Sequence, residues 1–263
     1  MKAPQNVMRK KAKLLLAAAL VAASCTSLGT ARADLTLSGA VGLPLNPTAQ
    51  LPEAGGVRIQ GNFTDLGNIS GSDLNLAGIY AAGRVGGRLE ISGGLENLNG
   101  DRFLNPLDEK NVALGAKYLI KPGGVDGVAV AIGAGYSRAL LRNKHAYAVA
   151  SKSLGTLSKS GRPPGMAHLG VRYDDFDASG FLPGRDAGRA SVYGGAEIPL
   201  DARGRLSAVG ELQSKNSDFG TSRHPFSLGA RYRAGGGFSA TGGYLREGIT
   251  GNSGFFAQVG KNF

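Results

Sequence analysis

From residue 56 to its end, the chain repeats one pattern about a dozen times: runs near ten residues long in which apolar side chains alternate with polar or small ones. Successive strand residues point to opposite faces, so a period of two describes strands with one greasy side and one mixed side. The last run, residues 254–263, is the clearest. Phe255, Ala257, Val259, Lys261 and Phe263 share one face, and Phe256, Gln258, Gly260 and Asn262 the other. Beyond residue 33 no stretch approaches 18 consecutive apolar residues, which excludes membrane-crossing helices. A chain that crosses a bilayer without them has to close its strands into a ring, because lipid offers no partner to unpaired peptide groups.

The closing run resembles the C-terminal strand of bacterial outer-membrane β-barrels, in which a terminal Phe and alternating apolar positions are recognised by the insertion machinery. The resemblance makes Phe255, Ala257, Val259 and Phe263 the insertion signal here; Lys261 departs from the pattern, which usually has an apolar or aromatic residue at that place. Connection lengths point the same way. Counting strands from residue 56, the connections after odd strands (66–72, 99–110, 140–144, 177–187, 216–224 and 247–253) include several long polar ones, whereas those after even strands, such as Val85-Gly86-Gly87 and residues 201–204, are mostly short. Outer-membrane barrels sort their loops in this way, with short turns on the periplasmic side. Twelve strands put both chain ends on that side.

The first 33 residues have the form of a secretory signal peptide: Arg9, Lys10, Lys11 and Lys13, then an apolar stretch over 14–23, then Ala31-Arg32-Ala33 as a small-x-small cleavage site before Asp34. Cys25, the sole cysteine, lies in this leader beside a poor lipoprotein box, so it is either lipidated or removed with the leader. Six of the 30 basic residues and none of the 19 acidic ones lie in the leader, which leaves 24 against 19 in the exported part. That modest surplus, with no basic run interleaved with aromatics, does not indicate a nucleic-acid partner.

Residues 34–43 alternate, with Leu35, Leu37, Val41 and Leu43 on one side, and then meet Pro44, Pro47 and Pro52. Prolines remove ladder donors, so this stretch cannot continue as a strand. It is expected to form an N-terminal strand and then either a plug near the periplasmic mouth or a linker into the first barrel strand. The expected division is 1–33 leader, 34–55 N-terminal strand and proline-rich loop or plug, and 56–263 barrel.

The inward face is polar and crowded with small residues; Ala129, Ala131, Gly133 and Gly135 share it on one strand. Small inward residues leave room for water or for an inserted segment. Alternation places Arg58, Arg88, Arg172, Arg205, Arg231 and Arg233 in the lumen with Glu90, Glu96, Asp174, Glu197 and Glu211. These charges form either a pore lining or polysaccharide path, or cross-strand ion pairs that stiffen a narrow barrel, and the second reading is favoured. Tyr80, Tyr118, Tyr136, Tyr173, Tyr232 and Tyr244 fall mostly near strand ends, where an aromatic girdle belongs. No catalytic residues, cofactor site or metal site are expected: the chain has no Gly-x-Ser-x-Gly elbow and no zinc motif, and His168, Asp174 and Ser227 are too widely separated to suggest a triad.

Gly42-Leu43-Pro44-Leu45-Asn46-Pro47-Thr48-Ala49, followed by Leu51-Pro52-Glu53-Ala54-Gly55-Gly56 and a strand, resembles the lead-in segment of the YjbH-like outer-membrane barrels. The resemblance covers about fifteen residues. It implies a link to surface or capsular polysaccharide production and export, although this chain is shorter than the larger members. The expectation is therefore an all-β protein: a single antiparallel transmembrane β-barrel of about 12 strands (10–14) in the bacterial outer membrane. It is expected to be non-enzymatic, a narrow channel or an accessory of polysaccharide export, or else a structural or adhesive barrel with a closed lumen. Its expected partners are outer-membrane lipid, the insertion machinery, and polysaccharide or small solutes.

Overall fold

A computed structural model describes residues 34–69, 72–100, 110–123, 127–138, 142–155, 163–177, 186–215, 223–248 and 251–263. The expected leader, Cys25 and the cleavage point after Ala33 lie outside these residues, as do parts of several long connections.

The described chain forms twelve strands: β1 (Val57–Ile69), β2 (Ser72–Val85), β3 (Leu89–Gly100), β4 (Lys110–Lys121), β5 (Val128–Arg138), β6 (Arg142–Ser153), β7 (Met166–Asp177), β8 (Asp186–Pro199), β9 (Leu206–Gln213), β10 (Phe226–Arg233), β11 (Phe238–Arg246) and β12 (Ser253–Asn262). Each pairs antiparallel with its sequence neighbours, and β12 returns to β1 to close the ring. The seam runs from Arg58↔Asn262 to Thr64↔Phe256. It is finished by the Phe263 N–H donating to the Val57 carbonyl at 2.9 Å and the Val57 N–H donating to the Phe263 carbonyl at 3.2 Å. Closure leaves no unpaired edge, which is what a lipid surround demands.

The outer face is the apolar belt that the alternation predicts. Ile79, Leu95, Leu169, Leu228 and Phe255 are 61–67% exposed with no protein over them. Tyr118 and Tyr232 lie exposed toward the end with short connections, and Tyr173 and Tyr244 toward the other. In water a belt of this extent would be a liability; against acyl chains it is the required surface.

Three sequence expectations change. The first hairpin is tighter than 66–72, because Gly67, at φ 71°, takes up a bulge after Asp65 and lets β1 continue to Ile69. Tyr80 does not belong to the girdle: it is 1% exposed and points inward. Residues 34–43 do not form a regular strand; only the isolated bridges Leu35↔Val41 and Gly42↔Pro47 occur there. The reason is Gly39, whose φ of 96° turns the chain back so that the Thr36 N–H donates to the Ala40 carbonyl at 2.6 Å.

Candidate functional site

The lumen holds the chain's own residues 34–52. The segment lies by Arg58 and Arg233, near the short-connection end, at Asp34, and reaches its tip at Leu45 and Asn46. It then comes back past Pro47 and Ala49 to the start of β1. Leu35, Thr36 and Asn46 are 0% exposed. At the return, Gly42 faces the Asn46 carbonyl and the Pro47 backbone so closely that any Cβ would collide with them. Pro44 and Pro47 have no N–H, which removes two donors from a buried stretch of backbone.

The remaining donors divide between the segment itself and the barrel wall. Leu37 donates to the Pro44 carbonyl, Gly42 to Asp34, Leu43 to Asn46 and Thr48 to Val41. The wall takes others through side chains: Leu35 N–H goes to Gln60 Oε1 (3.1 Å), Val41 N–H to Glu90 Oε1 (3.0 Å), and Ala49 N–H to Ser151 Oγ (2.9 Å). Leu45 and Asn46 N–H groups donate to Glu211 at 2.6 and 3.0 Å. Wall donors in turn reach segment carbonyls, among them Lys117 Nζ to Val41 (3.0 Å), Gln258 to Leu35 (3.0 Å) and the Tyr193 hydroxyl to Pro47 (3.0 Å). A polar wall thus replaces water for an irregular peptide, which would otherwise be costly to bury.

Charge concentrates at Asp34. Its carboxylate lies 2.6 Å from Arg58 Nη2, 3.0 Å from Arg231 Nε and 3.1 Å from Arg233 Nη2, and it accepts a hydrogen bond from the Ser239 hydroxyl. Arg231 and Arg233 also share Glu197 of β8, Arg231 at 2.6 Å. Burial by itself would raise the Asp34 carboxyl; Arg231, Arg58, Arg233 and the Ser239 hydroxyl outweigh it and hold the group below the ordinary carboxylate value. A second buried pair, Lys117–Glu90 at 2.7 Å, crosses from β4 to β3. Arg172 Nη2 lies 2.7 Å from Asp174, which also accepts from Asn143 at 2.8 Å.

Inward glycines form slots for bulky inward rings. Tyr80 covers Gly78 and Gly94 and donates to Glu96 at 2.6 Å; Tyr147 lies over Gly133 and Tyr193 over Gly170. Gly195 does the same for the inserted segment, since a Cβ there would overlap Leu43.

Of the sequence-derived lumen residues, Arg58, Glu90, Glu96, Asp174, Glu197, Glu211 and Arg231 are buried inside the ring, with Arg172 and Arg233 partly so. Arg88 and Arg205 are a correction. They keep the inward parity but stand one residue before β3 and β9, in the turns, where the ring ends. Both are exposed, Arg88 donating to the Ile120 carbonyl at 3.3 Å and Arg205 lying 3.8 Å from Asp201. Alternation had the information to add Lys117, between the outward Ala116 and Tyr118. It had none for Asp34, whose partners come from three strands distant in sequence. On β12 and the residue that follows it, Phe255 and Phe263 are exposed on the belt parity, while Ala257 and Val259 are half-buried; Lys261 is 5% exposed, its Nζ 5.0 Å from the Phe263 ring centroid.

Ser151 Oγ lies 2.8 Å from His168 Nδ1, yet the same oxygen accepts the Ala49 N–H, so the pair serves to hold the segment. Among the described residues no group of His, Cys, Asp or Glu has the makings of a metal site. Beyond the segment's tip, toward the long-connection end, a cavity of ≈ 210 Å³ is bordered by Leu45, Asn143, Arg172, Asp174, Arg189 and Gln213.

No protein-family model matches the chain, and no curated protein does. Solved structures with a similar ring include the KdgM porin in complex with disordered oligogalacturonate, with a TM-score of 0.52 at 9% identity over 79% of this chain and 99% of that one. The NanC porin also matches, with a TM-score of 0.50 at 13% identity over 79% and 98%. At such identities the likeness concerns the fold alone: this chain has the fold of outer-membrane porin barrels.

Proposed function

We propose that this chain is a non-enzymatic outer-membrane channel for hydrophilic solutes, held shut by its residues 34–52. The observation that carries this reading is the chemistry of the wall beneath the segment. Arg58, Lys117, Arg231, Glu90 and Glu211 are buried there, each held in an ion pair or hydrogen bond. Buried ion pairs are a poor way to add stability, because desolvation offsets their attraction, whereas apolar filling would close a lumen more firmly. A charged wall under a separable peptide suits a path that is wet when the peptide leaves. The similar KdgM porin was solved with an acidic oligosaccharide, which supports acidic saccharides as the solute class. The resemblance of residues 42–49 to YjbH-like barrels supports a place in surface polysaccharide export. Removal of the leader after Ala33 and reading of the closing strand by the insertion machinery complete the proposal.

A second reading, a permanently closed structural or adhesive barrel, is favoured by the complete burial of Leu35, Thr36 and Asn46. Planar-bilayer recordings of the full chain and of a variant lacking residues 34–52 separate the two. Steady conductance in the deletion variant supports the channel. Silence in both, with the barrel folded by heat-modifiable gel mobility, supports the closed barrel.

A further inference from the structure

The geometry points to a carboxylate-binding site in the lumen that Asp34 occupies in cis, and to opening of the barrel by oligomeric acidic saccharides that compete with Asp34 for it. This rests on the channel reading above. The cradle consists of Arg58, Arg231 and Arg233 with the Ser239 hydroxyl, all directed at one carboxylate that is 3% exposed. Planar guanidiniums converging on two carboxylate oxygens are the arrangement by which proteins recognise carboxylates. When the segment leaves, Arg231 and Arg233 keep Glu197, but Arg58 retains only the neutral partners Gln60, at 3.1 Å, and Ser239, at 2.6 Å. Three guanidiniums then face one carboxylate, and the emptied cradle carries a net positive charge that attracts an anion.

The identity of the competitor follows from the tether. Asp34 is joined to β1 through its own chain, so it competes at an effective concentration in the millimolar range, and the segment's other hydrogen bonds raise the threshold further. A single sugar acid is therefore a weak opener. A chain of sugar acids that reaches from the cradle to a second lumen cation, Lys117 of β4 or Arg172 of β7, each competing there with the paired Glu90 or Asp174, gains avidity of up to roughly 10²–10⁴ over one carboxylate.

The test uses the full chain in planar bilayers with oligogalacturonate, monomeric galacturonate or a neutral oligosaccharide of equal length. Oligogalacturonate is expected to raise open time at least ~10-fold, at a concentration ~100-fold below that at which the monomer acts, with no response to the neutral oligomer. Asp34→Asn is expected to open without added saccharide. The variant lacking residues 34–52 is run alongside, or Asp34→Asn in its place if heat-modifiable mobility shows that the deletion does not fold. If the deletion variant conducts, but oligogalacturonate neither opens the full chain nor reduces current through the deletion variant, the cradle is only an anchor and this inference fails while the channel stands. If the folded deletion variant is silent, both fail.

Discussion

Glu211 holds Asn46 twice through a single oxygen: its Oε2 accepts the Asn46 backbone N–H at 3.0 Å and the Asn46 side-chain Nδ2 at 3.0 Å. The other oxygen accepts from Leu45 N–H at 2.6 Å and from the Ser227 hydroxyl at 2.7 Å. One carboxylate on β9 thereby fixes a segment tip that lies 165 residues earlier in the chain. Truncating it leaves buried donors without acceptors, each worth about 1–3 kcal/mol. Glu211→Ala is expected to unseat the tip while the ring stays closed. Labelling of a cysteine placed at Asn46 should be faster in this variant than in the parent, with unchanged heat-modifiable mobility, and Glu211→Gln should fall between the two.

The Lys117–Glu90 pair predicts strong non-additivity. Lys117→Met leaves the Glu90 carboxylate buried opposite a neutral group, a change that typically costs about 3–5 kcal/mol. In Lys117→Met/Glu90→Met no charge is stranded, and the main loss is the acceptor of the Val41 N–H. Denaturant unfolding in detergent, followed by gel mobility, should therefore show the double variant to be more stable than Lys117→Met alone. Equal or greater loss in the double variant would mean that the pair is not coupled as the geometry indicates.

Asp34 sets the acid limit of its own cradle. The charged groups facing it are Arg58 from β1, Arg231 and Arg233 from β10 and, beyond these, Glu197 from β8; the neutral Ser239 of β11 completes the shell. A carboxyl held below its ordinary value contributes its full stabilisation above about pH 4 and loses it only as pH falls toward the lowered value. Protease cleavage in 34–38, the part that Asp34 anchors, is expected to be flat from about pH 5 to 8 and to rise only in strong acid. A rise centred near neutrality would mean that another group controls the seat.

The strands and most of their facing were legible because a ring in lipid has to repeat one local rule. Val112 and Leu114 face out and Lys117 faces in for reasons contained within ten residues of chain. Tyr80 was misplaced because both faces of β2 carry apolar or small residues, so its alternation is ambiguous. What settles its direction is the slot left by Gly94 on the next strand. Arg88 and Arg205 were misplaced because parity gives direction but does not say where the ring stops.

By itself the sequence determined the closed all-β ring, its apolar exterior and its polar interior, since each follows from the two-residue period and from the demand that backbone groups pair within lipid. Only the tertiary structure decided what fills the interior. The seat of residues 34–52 depends on Asp34 meeting Arg58, Arg231 and Arg233, and on Asn46 meeting Glu211. Those groups are brought together by closure of the ring, and no local pattern records a contact between a proline-broken segment and strands up to two hundred residues away.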